Sequence, residues 1–223
     1  MLASDPPGLY AEVAGEPDIE EASWLALLIV YLGTLDDADD PFVTIRELRT
    51  SWSSGELPDI AGAQLGRRSS AVAVRGDEML LAYRRWVERA GSQAAAFLAD
   101  PSWTETQRFE RVFERLALPA FDRRARFDLL VTLGVLGRYP LRAASLLLSE
   151  DDAVSRAAKR VFGIGDRLTL ERRVRELAEA SAVPLAAFDL ALENWAAIER
   201  ISLGVPAARD DAALERVRQT LGL

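Results

Sequence analysis

The feature that most constrains this chain is a turn. Two amphipathic runs, 153–161 and 169–180, meet at Gly163-Ile164-Gly165 with almost no connecting chain. So short a link, with two glycines, folds the two helices back into a hairpin. The second helix then begins with backbone N–H groups that have no partner inside the helix. Such amides bind anions, phosphates above all. Asp189 follows Gly165 by 24 residues, within the apolar frame Phe188-Asp189-Leu190-Ala191-Leu192.

The remaining pattern is helical as well. Asp18 is placed to cap an apolar helix over 20–35, which Asp36-Asp37-Ala38-Asp39-Asp40-Pro41 ends. Those acids read as a solvated loop, being too few and too local for a hard cation. Further helices are expected over 42–52, 78–89, 93–98, 108–116, 121–134, 140–148, 153–161, 169–180, 185–201 and 210–221. Thr104 and Gln107 form a capping box before 108–116, and Asp151 or Asp152 caps 153–161. Residues 53–77 are the least regular. Within them 62–70 reads as a loop, and Ala71-Val72-Ala73-Val74 as a short strand or a buried connector. About ten helices without a convincing sheet make the chain all-α. Its expected organisation is an extended arm over 1–17, a helical domain over 18–205 with the hairpin at 153–180, and a C-terminal helix over 206–223.

What is missing narrows the chemistry. The 223 residues contain no cysteine and no histidine. That excludes thiolate nucleophiles, zinc–thiolate sites, Ser-His-Asp triads and imidazole-bound metals. Lysine occurs once, at Lys159. Carboxylates, hydroxyls, arginines and backbone amides remain. The net charge of −8 argues against indiscriminate nucleic-acid binding. The charge is uneven, however. Residues 101–180 hold 15 basic against 12 acidic side chains, and the rest of the chain 12 against 23. The turn therefore lies in the one basic stretch. No apolar run is long enough to span a membrane, and the N-terminus lacks the basic start of a secretory signal, so a cytoplasmic location is expected.

At Gly163-Ile164-Gly165 and Phe188-Asp189-Leu190 the chain resembles the helix-hairpin-helix DNA glycosylase superfamily, with phage-defence or modified-base glycosylases as a subgroup. The resemblance extends over 20–205, and its specific motifs lie within 157–195. It implies a two-lobed helical fold, double-stranded DNA with a damaged or modified base as partner, and a monomer. It implies no cofactor beyond a monovalent cation at the hairpin backbone, and no metal held by side chains. Gly163, Ile164 and Gly165 would grip DNA phosphates, with Arg167 and Lys159 beside them. Asp189 would stabilise the positive charge that develops on the sugar as the N-glycosidic bond breaks. Asp189 also reads as a helix cap or a helix-surface acid.

Bifunctional members of that superfamily carry a Schiff-base lysine two residues after the second glycine. Arg167 stands there, and a guanidinium that stays protonated cannot act as that nucleophile. The implied activity is monofunctional, leaving an abasic site. A lyase acting through Lys159 is a separate reading, and a non-catalytic hairpin module that binds DNA or protein is another. Candidates for a base pocket are Trp24, Tyr31, Trp52, Gln64, Gln93 and Asn194. Trp24, Trp86 and Trp195 also fit a core by their helical spacing, whereas Trp52, among serines, reads as more exposed. Asn194 is placed to orient Asp189 or simply to face solvent.

Overall fold

A computed structural model describes residues 6–35, 38–69, 76–149 and 152–196, together with 212, 215, 216, 218 and 219. Among the described residues there are ten α-helices and no strand. In chain order they are α1 (Leu9–Gly15), α2 (Ile19–Leu32), α3 (Val43–Leu48), α4 (Gly76–Ala90), α5 (Gln93–Leu98), α6 (Glu105–Arg115), α7 (Arg123–Val135), α8 (Ala153–Phe162), α9 (Arg167–Ser181) and α10 (Ala187–Ala196). None is long and apolar enough to cross a membrane. The chain divides into two compact units, Met1–Arg142 with Leu203–Val205, and Ala143–Ser202 with Pro206–Leu223. The division falls inside the span that the sequence presents as one domain. The possible strand at 71–74 lies outside the described residues, as does most of the C-terminal helix.

The first unit is built around α2. Asp18 caps it by accepting the Glu20 N–H at 2.9 Å, and every residue from Ala22 to Leu32 is buried. A helix apolar on all sides has to be surrounded, and α1, α3, α5 and α7 pack directly on it. Its buried serine, Ser23, donates to the Ile19 carbonyl at 2.6 Å and lies 2.7 Å from the Tyr139 hydroxyl. Since the Ser23 proton is committed, Tyr139 is the donor of the second bond. A file of rings, Trp52, Trp24, Tyr83, Trp86, Phe97 and Tyr139, runs through the unit with successive centroids 5.0–6.2 Å apart. These tilted and edge-on contacts are the arrangement that ring quadrupoles favour.

Three expectations need correction. Within the expected extended arm, residues 9–15 are helical: Leu9 and Val13, one turn apart, are fully buried on α1, which packs against α2. Gly8 permits the approach, because at φ +56° a Cβ there would meet the Phe42 ring at 2.3 Å. The helix expected over 42–52 stops at Leu48. The Glu21 carboxylate draws out the rest by accepting the Ser51 hydroxyl at 2.5 Å and the N–H groups of Trp52 and Ser53 at 2.9 and 3.1 Å. Residues 140–148 are not helical. Leu147 has a positive φ, and the Leu146 and Leu148 N–H groups donate to the Glu171 carboxylate at 2.7 and 2.8 Å. In each of the last two cases a distant carboxylate takes N–H groups that a helix would have used.

All four tyrosines belong to the first unit, and burial is the main cause that raises each of their phenol pKa values. Tyr31 and Tyr139 are pushed up to about 12, and Tyr10 and Tyr83 are raised further. A folded pKa above the unfolded one means that the stability is complete below about pH 10 and is lost as pH rises through the folded values. Alkaline titration is therefore expected to release tyrosinate together with the loss of helical circular dichroism. A phenol ionising near pH 10 with the helices intact would contradict this burial.

Candidate functional site

The candidate residues of the hairpin lie in the second unit, on three helices. Val154, Ala157 and Ala158 of α8, Leu170, Val174 and Ala178 of α9, and Phe188 and Leu192 of α10 are buried. Both α9 and α10 pack on α8. Asp152 caps α8 by accepting the Ser155 N–H. Gly163 ends that helix at φ +84°, in the left-handed region that glycine enters without steric cost. Arg173, on α9, donates back to the carbonyl of Phe162, the last residue of α8. The connection 163–166 is thereby closed from both helices.

Asp166 sharpens the reading of the hairpin as an anion site. Its carboxylate accepts the Thr169 N–H at 2.7 Å and caps α9. That bond, with help from the Thr169 hydroxyl, holds the Asp166 carboxyl below the usual carboxylate range. The first turn of α9 thus already carries a negative charge of its own. An incoming phosphate has the amides of the turn and of Arg167 and Leu168, but not that of Thr169. Lys159, in the last turn of α8, and Arg167, the first residue of α9, are exposed. Arg160 lies over the Trp195 ring at 5.2 Å. Trp195 is 54% exposed, so it is not the core residue that its spacing suggests.

Asp189 stands in the first turn of α10 and is 1% exposed. It is neither a surface acid nor an open pocket wall. Glu193, one turn later on the same face, is also buried. The sequence reading did not single it out, although the i, i+4 spacing of two acids within an apolar helix was the signal available. Asn194 is half-buried, and its Oδ1 accepts no hydrogen bond among the described residues.

The proposed base-pocket residues from the first unit have other duties. Trp24 and Tyr31 are fully buried in α2, and Trp24 Nε1 donates to the Thr50 carbonyl at 2.9 Å. Gln93 is a core lock. Its Oε1 accepts from the Tyr83 hydroxyl at 2.6 Å, its Nε2 donates to the Glu20 carbonyl at 2.7 Å, and its N–H is held by the Glu20 carboxylate. None of these three offers a free face to a base. Trp52 is half-buried rather than open, stacked beside Trp24 and covered by the Arg84 guanidinium at 4.4 Å. Gln64 is exposed. The loop that carries it is fastened to α2: the Gly66 N–H donates to the Leu32 carbonyl at 3.0 Å and the Ser69 hydroxyl to the Tyr31 carbonyl at 2.8 Å.

An open groove of about 630 Å³ lies in the first unit, between Ala82, Arg85, Glu88 and Arg89 of α4 and the turn Ala117-Leu118-Pro119. It contains none of the expected site residues. Among the described residues no three carboxylates come together as a metal-holding group. Comparison of the chain with protein-family models, with curated proteins and with solved structures finds no match.

Glu171 is the residue on which the second unit's irregular segment depends. Removing its carboxylate leaves two buried N–H groups without acceptors, at about 1–3 kcal/mol each. Glu171→Ala is expected to cost about 2–5 kcal/mol in urea denaturation. Glu171→Gln retains one acceptor and should fall between that variant and the parent. Equal stability of all three would remove Glu171 from this role.

Proposed function

We propose that the chain is a DNA-binding helix-hairpin-helix protein that acts as a monofunctional DNA glycosylase. The observation that carries this reading is Asp189, a carboxylate buried at the start of α10, on the helix that packs against α8 of the hairpin. Burying a carboxylate is costly, and such groups concentrate where chemistry uses them. In the proposed reaction the C1′–N bond of a flipped nucleotide breaks and its electron pair leaves with the base. Asp189 stabilises the positive charge on the sugar and orients the water that adds to C1′. The products are a free base and an abasic site. Arg167 supports hydrolysis without strand cleavage, because it cannot form a Schiff base. Since Asp189 is covered in the DNA-free chain, the mechanism requires DNA binding to uncover it.

That same burial favours a second reading, a hairpin module that binds DNA and performs no chemistry. Duplexes carrying oxidised, alkylated, deaminated or hypermodified bases, treated with hot alkali after incubation, separate the two. The glycosylase reading predicts strand breaks at one class of base. Asp189→Asn should lower their rate roughly a hundredfold or more while duplex affinity is kept. Binding without breaks on any of these substrates leaves the module, and unchanged turnover in Asp189→Asn removes Asp189 from the mechanism.

A further inference from the structure

We infer that the groove between α4 and the turn 117–119 docks an extended acidic segment of a partner protein, whose carboxylates pair with Arg85 and Arg89. The inference stands apart from the DNA reading, because every residue that lines the groove belongs to the first unit. Arg85 and Arg89 are exposed, one turn apart on one face of α4, and Ala82 precedes them on that face. Neither guanidinium has an ion pair, a hydrogen bond or a ring partner among the described residues. Other arginines of the unit commit their donors to backbone carbonyls, as Arg84, Arg108, Arg126 and Arg138 do. The fold therefore gives no reason for two guanidiniums to line this groove.

The facing wall is apolar. The Ala117 N–H donates to the Glu114 carbonyl at 3.3 Å, the Leu118 N–H donates to the Leu116 carbonyl at 2.7 Å, and Pro119 has no N–H. The turn thus offers an anion no donor, and recognition of negative charge falls to the two arginines. A space of about 630 Å³ holds a few side chains rather than a folded partner. Four helical residues advance about 6 Å along the axis, and alternate residues of an extended chain about 6.6 Å. Carboxylates at alternate positions of a peptide therefore meet successive guanidiniums in charge-assisted bonds. The apolar residues between them face Leu118 and Pro119. Glu88 also lines the groove and forms no hydrogen bond or ion pair among the described residues. A peptide supplies Glu88 with a backbone N–H. The phosphodiester backbone of a nucleic acid has no such donor and meets Glu88 as a like charge, so the groove favours the peptide.

The test measures fluorescence anisotropy of a fluorescein-labelled peptide of alternating aspartate and leucine, titrated with the full chain. A peptide of alternating asparagine and leucine is the neutral control. The parent is expected to bind the acidic peptide and not the neutral one, with affinity falling as salt is raised. Arg85→Gln with Arg89→Gln should weaken binding roughly tenfold or more and flatten the salt dependence. Both positions are exposed, so helical circular dichroism should be unchanged. Ala82→Gln adds bulk to the groove without altering charge and should weaken binding several-fold. No binding by the parent, equal binding of the two peptides, or full binding by the arginine variant would overturn the proposal. Full binding by Ala82→Gln would also overturn it, by showing diffuse attraction in place of a groove. A DNA duplex that binds the parent but not the arginine variant, with the acidic peptide silent, would assign the groove to nucleic acid instead.

Discussion

Ionised side chains that reach across the chain to close backbone groups are the interaction on which this fold depends. An all-helical protein with helices as short as six residues, such as α3 and α5, has many helix ends. Each end leaves N–H or C=O groups without partners. Here carboxylates take the N–H groups: Glu20 those of Gln93 and Ala94, Glu21 those of Trp52 and Ser53, and Glu171 those of Leu146 and Leu148. Arginines take the carbonyls. Arg108, buried, donates to four of them, on Leu98, Asp100, Trp103 and Pro140, at 2.9–3.3 Å. Arg138 donates to Ala14 and Glu16, just where α1 ends. A planar fork with five donors can hold several carbonyls at once, which a compact ammonium on a flexible stem does less well.

The same device shapes the second unit. Glu171 holds 146–148 against α9, Arg175 donates to the Ala144 carbonyl, and Arg173 closes the end of α8. These contacts order the frame from which the Gly163–Gly165 turn projects. Lys159 and Arg167 lie on the exposed surface of this unit, where Arg160 covers the Trp195 ring. Asp166 tempers that surface, since it places a carboxylate at the very helix start where a phosphate would otherwise have the most open access.

Local signals in the sequence were reliable guides. The Asp18 cap, the Thr104–Gln107 capping box and the span of α5 stand in the structure as their residues indicate. The two amphipathic runs on either side of Gly163-Ile164-Gly165 are α8 and α9. What was not legible depends on partners far away in the chain. Residues 140–148 carry the apolar content of a helix, but their N–H acceptor is Glu171, more than twenty residues on. Nothing local in Pro6-Pro7-Gly8 announces that Leu9 and Val13 will be buried against α2. Gln93 looked like a group that could read a base, because its two partners, on Tyr83 and Glu20, are visible only in three dimensions. Trp195 looked like core and stands exposed under Arg160. Of the candidate site residues, the turn and Asp189 carry recognisable spacing, but burial, which decides what Asp189 can reach, is not encoded in any short motif.

Amide hydrogen exchange with and without a short DNA duplex tests the central claim, that the α8–α9 turn on this pinned frame is the DNA-contacting element. The account predicts that the amides of Ile164 to Leu168 exchange fast in the free chain and slow on adding duplex. Those of Leu146 and Leu148 should be slow in both states, because Glu171 holds them. Turn amides that exchange equally fast with and without DNA, while protection appears elsewhere or nowhere, would contradict it.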